Sequence, residues 1–156
     1  MDFVDSSQRL RETTRLLIRK LGFLERDGAI CCGITLTQCH AMIETGRKEQ
    51  ISVNELAELL NLDKSTVSRT VDQLVNNGIM LREADQEDRR FVKLKLTVKG
   101  EELFKNIEQR MEVYFSEILH AVPEGKREQV IESLQIFVDA LKNTKCCKKT
   151  ECMIGQ

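Results

Sequence analysis

A polar run at residues 64–73 contains side chains that proteins use to read DNA bases. The candidates for DNA contact are Lys64, Ser65, Thr66, Ser68, Arg69 and Gln73. Arginine pairs with guanine, glutamine with adenine, and serine or threonine with phosphate or with either kind of base. We expect Lys64 to add a phosphate contact, and a helix start can itself receive a phosphate. The alternative is an ordinary solvated helix face.

A second charged cluster, Asp88-Arg89-Arg90, lies between two predicted strands. A purely structural hairpin turn usually contains Asn-Gly or a short polar pair. Arginines at a hairpin tip suit a DNA minor groove, whose narrow walls concentrate negative potential. Asp88 can hold one arginine extended through a carboxylate–guanidinium pair. A solvated charge run is the alternative here, and the helix-turn-helix pattern upstream weighs against it.

Residues 52–100 supply the elements that would position both clusters. Ser52 and Glu55 form a capping box, which predicts a helix from Val53. Asp63 is expected to cap a second helix, which ends near Gly78. The expected buried residues are Leu56, Leu59 and Leu60 on the first helix and Val67, Val71 and Leu74 on the second. Residues 91–96 then alternate in polarity, as in a half-buried strand. Two helices joined by a turn and followed by a hairpin form a winged helix-turn-helix.

Amphipathic helices are predicted on both sides of this unit, over about residues 5–24 and 101–143. A charged loop at 25–28 is expected to end the first, and Thr37 is expected to cap a short helix after it. The fold class is therefore mainly α with a small β-hairpin wing. We predict one domain over residues 1–156, a winged helix-turn-helix over about 36–100, and a mobile Cys-rich tail over 144–156. The flanking helices would form a homodimer, whose two-fold symmetry suits double-stranded DNA with a palindromic operator.

Composition limits the other classes of function. The formal net charge is −1, with 31% charged residues, so we expect weak non-specific DNA binding and dependence on specific contacts. No secretory signal or membrane-length apolar run is visible, which predicts a cytoplasmic protein without a membrane partner. Two histidines, no Gly-rich phosphate loop and no nucleophile–base pair argue against an enzyme.

The cysteines suggest a second chemistry. Cys31, Cys32 and Cys39 lie close together in sequence with His40, and Cys146, Cys147 and Cys152 lie in the tail. Thiolate and imidazole bind Zn²⁺ and other soft ions, and three converging thiolates also suit arsenite. Taken singly, each residue is more simply structural. Taken together, they favour a thiol-based sensor of a metalloid, a soft metal or an oxidant.

The run LDKSTVSRTVDQLVNNGIM followed by DQEDRRFVKLKLTVKG resembles the MarR family of regulators. In that family the wing carries Asp-x-Arg, here Asp88 to Arg90, and continues into Leu-x-Leu-Thr-x-x-Gly, here residues 94–100. The resemblance implies an intertwined dimer of terminal helices, entry of Arg90 into the minor groove, and repression relieved by an effector. Its effector pocket would lie between the dimer helices and the DNA-binding lobe. One departure is that residues 5–24 lack the reactive first-helix cysteine of the family's peroxide sensors.

Two other functions stay open. The same repressor could sense a small aromatic or drug-like ligand, with the cysteines incidental. More distantly, the chain could be a thiol-dependent metal-binding or redox protein on a winged-helix scaffold. Charge reversal at Arg69 and Arg90 separates the regulator from the second alternative, because only the regulator needs both arginines.

Overall fold

The structure is a computed structural model that describes residues 3–85, 88 and 90–144, without the side chains of residues 23–32. The described helices and strands are α1 (Phe3–Cys32), α2 (Leu36–Lys48), α3 (Val53–Leu60), α4 (Lys64–Asn76), β1 (Met80–Ala84), β2 (Val92–Leu96), α5 (Val98–Ala121), a 3-10 turn (Glu124–Lys126) and α6 (Arg127–Asn143). The chain divides into two compact units, Met1–Gln109 and Arg110–Gln156. The predicted fold class is confirmed: a mainly helical chain with one antiparallel hairpin. No described helix is long and apolar enough to cross a bilayer.

Of the caps predicted for α2, α3 and α4, those of α3 and α4 are confirmed. The Ser52 hydroxyl accepts the N–H of Glu55 at α3, and Asp63 accepts the N–H of Thr66 at α4. The cap predicted for α2 was wrong: it is Thr35, not Thr37. Thr35 and Gln38 form a T-x-x-Q capping box, in which each side chain accepts the other residue's backbone N–H.

The first helix is longer than expected. Helical backbone continues through the charged segment at 25–28 to Cys32, so the predicted loop there was wrong and Cys31-Cys32 belongs to the last turn of α1. Charged residues fit a helix interior, and a single internal glycine weakens a helix by about 1 kcal/mol without breaking it. The helix ends at Cys32, and Gly33 follows it with a φ of 68°, a left-handed conformation that glycine adopts without strain.

The core of the first unit consists of aliphatic side chains and methionines. Its fully buried large side chains include Met42, Leu56, Val67, Val71, Leu74, Met80 and Leu94. The inward face of α4 is thus confirmed. On α3, however, Leu59 is 50% exposed and Ala57 is buried in its place. A helix of eight residues has only two turns, too few for leucine spacing alone to define its buried side.

The hairpin pairs Met80 with Leu96 and Ala84 with Val92, in antiparallel register. Leu94 and Leu96 point to the core, and Leu94 also exchanges two backbone hydrogen bonds with Ile51, at 2.7 and 3.1 Å. Ile51 lies just before the start of α3, so this bridge joins the wing to the helix-turn-helix.

The junction between hairpin and α5 depends on Thr97 and Gly100. The Thr97 hydroxyl donates to the Gly78 carbonyl at 2.7 Å and accepts the Gly100 N–H at 3.1 Å, as expected of a helix cap. Gly100 lies against backbone, because a Cβ there would be 2.1 Å from the carbonyl oxygen of Ile79. The Leu-Thr-x-x-Gly spacing therefore places buried leucines, a cap and a close backbone contact in succession.

We expect Gly100→Ala to lower the free energy of unfolding by more than about 2 kcal/mol, since the added methyl must push backbone apart. Urea titration followed by circular dichroism measures the change. Gly125→Ala is the matched control, because a Cβ at Gly125 meets no atom within 4 Å. Equal stability of Gly100→Ala and wild type would contradict the close contact.

Candidate nucleic-acid interface

The first turn of α4 is organised by Asp63. Its carboxylate accepts the Ser65 hydroxyl at 2.5 Å, the Thr66 hydroxyl at 2.6 Å and the Thr66 backbone N–H at 2.8 Å. In this arrangement both hydroxyl protons are directed to Asp63, which leaves oxygen lone pairs for a base amino group. A carboxylate already occupies the helix start, so the geometry weighs against the phosphate site expected there. DNA contact by Ser65 and Thr66 stays a prediction.

These hydrogen bonds also affect ionisation. The Ser65 hydroxyl, followed by the hydroxyl and backbone N–H of Thr66, holds the pKa of Asp63 well below its usual range. A carboxylate that accepts several hydrogen bonds strongly prefers its charged form. Asp63 therefore stays ionised over the whole neutral range, and the first turn of α4 carries a fixed negative charge.

The outward face of α4 has positive groups available for contact. Lys64 and Arg69 are exposed, and Arg69 makes one long hydrogen bond, from Nε to the Ser65 carbonyl at 3.4 Å. Ser68 is half-buried on the edge of this face. Asp72 lies on the same helix, and its carboxylate pairs with Arg82 of β1 at 2.7 Å.

Arg82 is a residue that the sequence interpretation did not single out. Its pair with Asp72 partly offsets an acid on the face that would meet DNA phosphates. No local spacing links a helix residue to a strand residue ten positions later. The only usable signal was the polar position of Arg82, opposite the buried Leu94 in the hairpin.

Gln73 is exposed on α4, but its amide is already engaged on one side. The Gln38 Nε2 donates to the Gln73 Oε1 at 2.8 Å. Gln38 itself is only 7% exposed and lies in the α2 capping box. The recognition helix is thus hydrogen-bonded to the first turn of α2 through two glutamine side chains.

The tip of the hairpin presents Arg90 in a defined pose. Its Nε lies 3.0 Å from Asp88 Oδ1 and its Nη2 lies 2.7 Å from Asp88 Oδ2, a two-point carboxylate–guanidinium pair. The backbone N–H of Arg90 also donates to Oδ1 at 3.0 Å. The carboxylate–guanidinium pair expected at the tip is thus present, and 86% of the Arg90 side chain is exposed. Arg89 lies outside the described residues.

The pair perturbs both groups. The Arg90 guanidinium and backbone N–H hold the pKa of Asp88 below its usual value, and Asp88 raises the pKa of Arg90. Both groups are at the surface, so the pair stabilises the fold little. Its effect is to fix the direction of a cation.

Lysines fix the base of the wing. Lys93 lies 3.6 Å from Glu55 of α3 and 3.9 Å from Asp85, and Lys95 lies 2.6 Å from Glu83. The hydrogen bonds of Ser52, followed by the Lys93 charge, lower the pKa of Glu55. The capping carboxylate of α3 therefore also holds the hairpin.

The cysteine cluster is only partly described. Cys39 is half-buried in the first turn of α2 and His40 is exposed beside it. The side chains of Cys31, Cys32, Cys146, Cys147 and Cys152 lie outside the described residues. Within the described part of the chain, no three His, Cys, Asp or Glu side chains are arranged to hold a metal ion.

A cavity of about 440 Å³ opens in the first unit beside the end of α4. Its lining is half apolar, from Ile34, Ile79 and Leu103, and half polar. The polar residues are Asn77, Lys99, Glu102 and Asn106, and Lys99 Nζ donates to the Asn77 carbonyl at 2.9 Å. Gly33, next to Cys32, completes the rim.

Comparison with known proteins agrees with this geometry. The family model for the MarR family matches residues 34–92. The chain is 28% identical to the HTH-type transcriptional regulator BilQ of Clostridium symbiosum, over 75% of this chain and 81% of that protein. These comparisons support a MarR-family winged-helix regulator, since residues 34–92 match the family model and the chain is similar to a curated HTH-type regulator.

Solved structures show the same fold. Streptococcus pneumoniae FabT in complex with DNA superposes with a TM-score of 0.79 at 20% identity, over 89% of this chain and 99% of that one. A MarR family protein from Bacillus stearothermophilus also gives 0.79, at 19% identity over 91% and 99%. The MarR fold thus extends beyond the matched residues 34–92 to the flanking helices.

Acidification should destabilise this protein partly through Asp63. Because its folded-state pKa lies below the usual 3.8, its carboxylate stabilises the fold above that value, and the contribution is lost as pH falls through the folded-state pKa. Asp63→Asn keeps an oxygen for the Thr66 N–H but does not titrate. Between about pH 7 and about pH 2.5, thermal melting should fall further for wild type than for Asp63→Asn. Parallel pH curves would contradict this.

Proposed function

We propose that this MarR-family chain, a DNA-binding transcriptional regulator, is a dimeric repressor that an effector releases from a palindromic operator. The observation that carries the proposal is the wing tip. Asp88 pairs with the exposed Arg90 at 2.7 Å, and the exposed face of α4 bears Lys64 and Arg69. An extended arginine suits the minor groove, and a basic helix face suits the major groove.

The proposed assignment of DNA contacts follows from this arrangement. Arg69 would read a base edge, Arg90 would enter the minor groove, and Lys64 would contact phosphate. Ser65, Thr66, Ser68 and Gln73 would complete the helix contacts, with Asp88 and Arg89 at the wing. The near-neutral chain keeps its acids on this surface paired, as in Asp72 with Arg82 and Asp88 with Arg90.

A homodimer is proposed because both units expose apolar helix faces. On α1, the exposed apolar residues include Leu10, Leu16, Leu17 and Ile18, and on α6 they include Val130, Ile131, Leu134, Val138 and Leu141. Exposed apolar patches of this extent mark interaction surfaces. Sedimentation equilibrium should therefore report a particle of twice the 18.0 kDa chain mass. A monomer at micromolar concentration would contradict the proposed assembly.

We expect Arg90→Ala to weaken operator binding by about tenfold or more, the effect of losing one specific contact. Fluorescence anisotropy with a duplex from the upstream region of its own gene measures the affinity. Asp88→Asn should weaken binding in the same direction, because it releases Arg90 from its extended pose. Lys105→Ala is the control: Lys105 is 75% exposed on α5, and its loss removes the same charge. Equal loss in Arg90→Ala and Lys105→Ala, with no loss in Asp88→Asn, would leave only non-specific charge attraction and contradict the assignment.

For the effector we favour a thiol-reactive species, arsenite or Zn²⁺ before an oxidant, sensed by the cysteines with His40. The support is the cysteine content and the place of Cys31 and Cys32 in the last turn of α1, one residue before Gly33. The alternative, a small aromatic or drug-like effector, is supported by the cavity beside α4, with its mixed lining and Lys99.

Titration of the reduced protein–DNA complex tests the thiol proposal. Arsenite or Zn²⁺ should release the duplex from wild type, and joint replacement of Cys31, Cys32 and Cys39 by Ser should abolish that release. Binding that neither reagent affects would contradict the thiol sensor. Leu103→Trp, which fills the cavity, separates the alternative: it would block release by an organic ligand and leave release by arsenite unchanged.

A further inference from the structure

We infer that Gln38 fixes the amide of Gln73 with its N–H donors toward DNA, so that Gln73 reads guanine. The inference rests on the proposed function and deepens it. It differs from the adenine contact that a freely rotating glutamine would suggest, because adenine recognition uses the amide oxygen as well as the nitrogen.

The polarity of the hydrogen bonds follows from one unambiguous donor. The backbone N–H of Thr35 can only donate, so the Gln38 atom that lies 2.9 Å from it is the oxygen. The other end of the Gln38 amide is therefore the NH₂ group, which donates to Gln73 at 2.8 Å. The Gln73 atom that accepts this bond is its oxygen. The NH₂ of Gln73 is then the end that Gln38 does not engage.

Gln38 is held firmly enough to impose this choice. It is 7% exposed, its side chain accepts the Thr35 N–H, and its own backbone N–H donates to the Thr35 hydroxyl at 3.3 Å. Turning its amide over would place an NH₂ group against the Thr35 N–H and leave a buried donor unpaired. Gln38 thus acts through Gln73 as a positioning residue.

Guanine is the base that best suits two outward donors. It presents N7 and O6, two adjacent acceptors, in the major groove, whereas cytosine presents a donor there. An adenine pair would need the Gln73 oxygen to accept from N6, but that oxygen faces Gln38 and one of its two lone pairs already accepts from Gln38. The arrangement therefore favours guanine over adenine and excludes cytosine.

The test reverses which residue donates in the hydrogen bond between positions 38 and 73. In Gln38→Glu, one carboxylate oxygen still accepts from Thr35, while the other can only accept from Gln73. Gln73 must then turn its NH₂ inward and its oxygen outward. Operators selected from a random duplex pool by wild type and by Gln73→Ala identify the base position that depends on Gln73. At that position, the ratio of affinities for guanine and cytosine duplexes should shift toward cytosine by about tenfold or more.

Two further variants complete the design. Gln38→Met removes the hydrogen bond at similar volume and should reduce discrimination without reversing it. Gln73→Glu, which leaves α2 unaltered, should prefer cytosine because a carboxylate only accepts hydrogen bonds, and this variant checks that residue 73 reads the base. Gln38→Met provides the test of Gln38 if Gln38→Glu does not fold, and unchanged discrimination in Gln38→Met would overturn the inference.

The possible outcomes distinguish failure of the Gln38 inference from failure of the proposed function. Reversal in Gln38→Glu, or reduced discrimination in Gln38→Met, supports the inference. A folded Gln38→Glu that binds with an unchanged guanine preference overturns it, as does a wild-type preference for adenine at that position. Selection of no common sequence by wild type overturns the proposed function, and this inference with it.

Discussion

The close backbone contact between Gly100 and Ile79 is the constraint on which the DNA-binding unit depends. It brings the start of α5 against the loop that leaves α4, with Thr97 hydrogen-bonded to the Gly78 carbonyl on the same junction. Three elements therefore meet within a few ångströms. The hairpin that connects them has its direction fixed at both ends, and the wing tip inherits that direction.

The second connection runs through Ile51. Its two backbone hydrogen bonds to Leu94 and the Glu55–Lys93 ion pair attach the hairpin to α3. Gln38 and Gln73 attach α4 to α2. Both candidate DNA-contact clusters thus belong to one hydrogen-bonded body. In the proposed dimer, any displacement of this body would move both clusters together, which suits release by a change of spacing between half-sites.

The sequence was sufficient for most features that follow a local rule, and the cap of α2 was the exception. Capping boxes, the buried stripe of α4 and the alternation of β2 all depend on residues within one element, so Ser52, Asp63 and Leu94 were assigned correctly. The Asp88–Arg90 pair was also predictable, because its partners are two residues apart. Thr35 was predictable in principle, since T-x-x-Q was present, but Thr37 offered the same side chain two positions later.

The features that the sequence did not predict depend on contacts between residues that are distant in sequence. Arg82 pairs with Asp72 only because the hairpin returns over α4, and Gln38 meets Gln73 across 35 positions. The end of α1 was misjudged because a charged segment can be either helix or loop, and only the left-handed Gly33 decides it. The exposure of Leu59 likewise depends on which neighbours cover α3.

The short-range contacts of the wing tip affect how the sequences of such proteins can diverge. Among the residues that the structure describes, the polar contacts of the Arg90 side chain come from Asp88, two residues away. A structure held by so short a segment does not require a particular core beneath it, beyond two strands in the right register. The tip should therefore keep its geometry when the sequence of the rest of the chain changes during evolution, or when the tip is grafted onto another hairpin.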